Sequence, residues 1–189
     1  MSSLANTLER PRLSIKAQTF ATISAVIGAV VVPQLFHIIG AVSGLGTSPG
    51  ETFLPMHLPI ILTGLLAGTV PGAIAGLLSP LVSSLLTDMP AQTMLPFMML
   101  ELCAYGAFAG LLRNVKMPDI AKILTVQIAG RAVRAAAILI AVFALGNESI
   151  KTAVIWKSIV AGIPGLVLQW SLLPLLLDRI ENRKKHESS

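Results

Sequence analysis

The sequence predicts an all-α membrane protein of six transmembrane helices, and three observations carry the prediction. Hydrophobic residues make up 54% of the chain and charged ones 12%, about half the roughly 25% charge of an ordinary soluble domain. Mean hydropathy is +0.79. Two long stretches, 17–50 and 52–87, contain no Asp, Glu, Lys or Arg. A bilayer core about 30 Å thick takes about 20 helical residues to cross, so the second stretch holds two spans. The basic residues, finally, gather at one set of span ends. The single cysteine, Cys103, sits in an apolar run, which excludes a disulfide framework and a cysteine-based zinc site.

The first helix is placed at 14–39, too long and too poor in cleavage signals for a removable signal peptide. Residues 40–51, with Gly40, Gly44, Gly46, Gly50 and Pro49, form the longest irregular connection, and long loops in compact proteins are commonly functional. Next comes Phe53-Leu54-Pro55-Met56-His57-Leu58-Pro59, whose two prolines predict a stiff, partly extended lead into the second helix at 54–69. Thr69-Val70-Pro71-Gly72 breaks the chain before the third helix at 72–87. Thr87-Asp88-Met89-Pro90 is turn-like and precedes a fourth helix at 93–113, interrupted by Glu101. The fifth, at 120–145, contains Lys122, Arg131 and Arg134 and ends at Gly146-Asn147-Glu148-Ser149. The sixth covers 153–178 and includes Lys157. Residues 1–189 thus read as a single six-helix membrane domain.

An even number of spans puts both termini on one side. On that side fall Arg10, Arg12, Lys16, Arg113, Lys116, Lys122, Arg179, Arg183, Lys184 and Lys185; the other side has only Lys151 and Lys157. By the positive-inside rule this asymmetry predicts a multi-pass protein of the cell membrane with cytoplasmic N- and C-termini. The pI of 9.8 is thereby a consequence of topology and gives no support to nucleic acid as a partner.

Ala17, Ala21, Ala25 and Ala29 recur at four-residue spacing, one above another on a helix face. Such a small-residue ridge admits a closely approaching helix, either from within the bundle or from a partner. His57, with Met56 beside it, lies near the outer interface, where an imidazole can bond a ligand or a backbone carbonyl. His37 reads as an interfacial residue. Charges at mid-membrane are costly and usually face a cavity or one another. Glu101 and Arg131 fall at similar depth on antiparallel neighbours, with Arg134 one turn outward on the same face. They form either a buried pair that fixes packing, or a site in which one arginine keeps free donors for an acidic or amide-bearing solute, oriented by Glu101.

Ser79, Ser83, Ser84, Tyr105, Gln127, Gln169 and Trp170 either line a cavity or bond neighbouring helices. Met89, Met94, Met98 and Met99 suit a malleable apolar pocket or ordinary packing. No H-E-x-x-H, G-x-S-x-G or G-x-x-x-x-G-K-[ST] is present. The expectation is a non-enzyme with no catalytic residues, no bound metal and no cofactor of its own, which couples to an ion gradient, lets solute equilibrate, or borrows energy from a partner.

The size, the six spans, the alanine ridge and the segments FLPMHLPIILTGLLAG (53–68), GLLSPLVSSLLTDMP (76–90) and MLPFMMLELCAYGAFAGLL (94–112) resemble the substrate-binding S components of energy-coupling factor (ECF) vitamin transporters. Within that family the three segments look most like the cobalamin-type CbrT group. The resemblance implies capture of a vitamin, cobalamin first and pantothenate or another vitamin as the alternative, at the outer face. Met56, His57, Glu101, Tyr105, Arg131 and Arg134 would bind it, and loops 40–53, 87–94 and 146–151 would gate it. It further implies docking of Ala17, Ala21, Ala25 and Ala29 on a transmembrane scaffold subunit that carries two ATPase subunits, which consume the ATP. Few aromatics disfavour a stacking clamp, and Gly64, Gly68, Gly76, Ala104, Gly106, Ala107 and Gly130 leave room for a bulky ligand or serve close packing. Two other classes compete: a stand-alone ion-coupled carrier with Glu101 as proton site, and an intramembrane enzyme using His57 with Asp88 or Glu101.

Overall fold

The structure, a computed structural model, describes residues 13–46 and 48–187, without the side chains of 181 and 183–187. Arg10 and Arg12 therefore lie outside the described residues, as do the side chains of Arg183, Lys184 and Lys185. Among the described residues the regular structure is all helical, without strands, and six helical stretches are long and apolar enough to cross a membrane. The elements are α1 (Ile15–Ser43), α2 (Ser48–Phe53), α3 (His57–Ala67), α4 (Thr69–Thr87), α5 (Leu95–Leu112), α6 (Asp119–Leu139, continued as a π-helical turn Ile140–Ala144), α7 (Ala153–Ala161) and α8 (Ile163–Glu187).

Four boundaries differ from the sequence expectation, each for a local reason. The connection after α1 is not irregular throughout, because Ser48-Pro49 starts the short helix α2. Proline suits a first helical turn, and Glu51 complements the positive helix end. The lead into α3 is a turn and not an extended strand: Leu54 is left-handed (φ 49°) and the His57 amide donates to the Leu54 carbonyl at 3.1 Å. The break before α4 shrinks to Gly68 (φ 111°), with Pro71 accommodated in the first turn of α4. The sixth span is divided at Gly162, since Pro164 cannot donate to a helical carbonyl one turn back and so begins α8.

α3 packs against α1, α4, α5 and α8, and the main core gathers Ile60, Ile61 and Leu65 of α3 with Leu102 and Tyr105 of α5 and Leu173 of α8. α4 and α5 approach so closely that a Cβ on Gly72, Gly76 or Gly106 would overlap the facing backbone. Gly130 presses on the Tyr105 ring. The glycines thus serve helix contact and do not make room for a bulky ligand. The alanine ridge points the same way. Ala29 is 0% exposed and Ala25 4%, both inside the chain's own core, while Ala17 and Ala21 are half-buried. Docking of Ala25 and Ala29 on another subunit is corrected accordingly, because neither presents a surface. The opposite face of α1, with Phe20, Ile23, Ile27 and Ile38, is exposed and apolar, as a lipid-facing surface would be.

Candidate solute-binding site

A cavity of about 420 Å³ opens at the end of the bundle where α1 and α4 finish and α5 begins. This is the end opposite Arg113, Lys116 and Lys122. Its walls come from Pro33 and His37 of α1, the Leu54-Pro55-Met56 turn with His57, Met89 to Ala91 after α4, and Met94 and Met98. Arg131 and Arg134 of α6 and Val154, Lys157, Ser158 and Ala161 of α7 complete it.

Each wall has a local cause. The Leu54 turn is held from behind: the Gln169 amide donates to the Leu54 carbonyl at 3.3 Å, Gln127 donates to Gln169 at 3.0 Å, and the Trp170 indole donates to Gln127 at 2.6 Å. The segment after α4 is anchored by Ser83, whose hydroxyl donates to the Met89 carbonyl at 2.7 Å. Four methionines, Met56, Met89, Met94 and Met98, give the cavity an adaptable apolar lining.

The polar flank is built around Glu101, which is 0% exposed. Arg134 Nη1 donates to its Oε2 at 2.9 Å, and the Tyr105 hydroxyl donates to Oε1 at 3.4 Å. Arg131 Nε lies 3.3 Å from the same Oε1 but is not aimed at it, so the two share a charge contact without a hydrogen bond. Neither Nη of Arg131 has a hydrogen-bond partner among the described residues. His57, 3% exposed, stands edge-on to the Tyr105 ring at 5.0 Å, with Nε2 3.8 Å from Glu101 and both ring nitrogens unpartnered.

Of the six residues expected to bind solute, Met56, His57, Arg131 and Arg134 line the cavity, and Glu101 and Tyr105 stand behind them. The expected Glu101–Arg131 pair is instead a triad in which Arg134 makes the hydrogen bond. Gln127, Gln169, Trp170 and Ser79 bond one another or the backbone and do not reach the cavity. His37, expected at the interface, lines it, as do Met89, Met94 and Met98 but not Met99. Residues of loops 40–53 and 87–94 contribute, whereas none of 146–151 does; α7 takes that place. Lys157 and Ser158 were missed as wall residues, although a lysine within an apolar span was a usable signal. Among the described residues no group of three His, Cys, Asp or Glu is placed to hold a metal ion. No family model, no curated protein and no solved structure matches the chain.

Proposed function

We propose that this protein is the membrane-embedded, solute-binding subunit of an ECF-type vitamin transporter, a non-enzymatic component that captures its vitamin outside and delivers it inward on an ATP-driven module. The observation that carries the reading is the cavity with a buried polar flank at the bundle end away from most of the basic residues. With cytoplasmic termini, that end faces outward. The chain has no nucleotide-binding signature, and in this reading accumulation is driven by the scaffold and its two ATPase partners. Of the four ridge alanines, the half-buried Ala17 and Ala21 remain available to a partner. The open cavity of about 420 Å³ has room for a compact vitamin such as pantothenate, whereas cobalamin, with its corrin ring and nucleotide loop, would extend beyond the mouth. The ion-coupled alternative, with Glu101 as its working group, is disfavoured because both oxygens of that carboxylate are already engaged by guanidiniums.

The test is uptake of labelled pantothenate and cobalamin by cells expressing this chain with or without an ECF scaffold and its ATPases. ATP-dependent uptake of one of them only when the module is present is the expected result. Equal accumulation by the chain alone refutes the partner-dependent mechanism.

A further inference from the structure

The polar flank holds two guanidiniums and one carboxylate, and they are not equivalent. Arg134 is hydrogen-bonded to Glu101, which makes a neutral pair. Arg131 shares the same carboxylate at 3.3 Å, so among the described residues one positive charge is left that no second carboxylate on the polar flank answers, with Nη1 and Nη2 buried and without a hydrogen-bond partner on the cavity wall. Room for its guanidinium is kept by Gly162 at the α7–α8 break, where a Cβ would come within 2.9 Å of Nη2. The other charged groups on the wall are Lys157 and Glu51, both exposed. A buried, unanswered guanidinium is costly; its planar fork of donors matches the paired oxygens of a carboxylate or a phosphate, and a single unbalanced positive charge is met by a monocarboxylate, whereas a phosphate brings up to two negative charges. Beside it, His57 offers one donor and one acceptor in its neutral form, with neither nitrogen bonded. Met56, Met89, Met94 and Met98 also line the cavity.

We infer that the cavity is built for a vitamin-sized monocarboxylate, with its acid group on Arg131, a neighbouring hydroxyl or amide on His57 and its apolar body against the methionines. The inference rests on the solute-binding reading and names its ligand class. A neutral ligand would leave Arg131 unanswered, and a cationic one would be repelled.

The test is thermal unfolding of the purified chain in lipid nanodiscs with three acids and their uncharged counterparts: pantothenate and panthenol, biotin and biotinamide, nicotinate and nicotinamide, with cyanocobalamin alongside. At least one acid should raise Tm while its neutral counterpart does not. Arg131→Gln should keep an unliganded Tm equal to or above the parent's, because the Glu101–Arg134 pair survives, yet weaken acid binding about 10- to 100-fold. Arg131→Lys, which keeps the charge and loses the fork, should weaken binding but still prefer acid to neutral. Stabilisation by none of the acids overturns the inference. So does stabilisation by a neutral counterpart equal to that by its acid, or an Arg131→Gln protein that unfolds earlier or fails to fold. Binding of cyanocobalamin without any acid would refute this ligand class and leave the transport reading standing, since that reading is decided by module-dependent uptake.

Discussion

At the scale of single residues, Glu101 is the group on which the polar flank depends. It accepts from Arg134 and Tyr105 and holds the Arg131 charge nearby. Removing one partner of a buried ion pair typically costs 3–5 kcal/mol, because the remaining charge is left uncompensated. Glu101→Gln leaves two such charges, so its Tm should fall well below that of Arg131→Gln, as measured by thermal unfolding in one lipid environment. Equal stability of the two variants would contradict the triad. Glu101, Arg131 and Arg134 were legible in the sequence because charges are rare in apolar spans. Which arginine makes the hydrogen bond was not legible, since residues three apart share a helix face and side-chain direction decides between them.

At the scale of elements, α4 and α5 meet with their backbones in direct contact. A Cβ on Gly106 would overlap the Gly72 carbonyl, and in lipid such close van der Waals contact is what associates helices. Gly106→Ala should therefore destabilise the isolated protein by about 1–3 kcal/mol through overpacking, measurable as a lower Tm in nanodiscs; an unchanged Tm would show that the helices can part freely. Small residues advertise a close approach in sequence, but their partner is a matter of three dimensions. The ridge of α1 shows this, for Ala25 and Ala29 turn inward onto the chain's own core. Likewise α2 and α7 are too short to show a helical period of their own, and they take shape from Pro49 at one helix start and from Gly162 with Pro164 at another helix junction.

At the scale of the whole molecule, the orientation rests on the distribution of basic residues. Lys116 in the α5–α6 turn and Ser149 before α7 are both exposed, at opposite ends of the bundle. In a Cys103→Ala background, a membrane-impermeant maleimide added to intact cells should label Ser149→Cys and not Lys116→Cys. The reverse pattern would invert the topology and place the cavity mouth in the cytoplasm.

The sequence by itself determined the all-helical class, the six apolar stretches and the charged positions within them. Each depends on local quantities: hydropathy over a bilayer's thickness, and the cost of a charge inside it. The tertiary structure alone decided that His37, His57, Arg131 and residues of α7 share one cavity, that Glu101 and Tyr105 lie behind its wall, and that the ridge faces inward. Those outcomes depend on the rotation of each helix about its axis and on side-chain direction, which distant packing partners set.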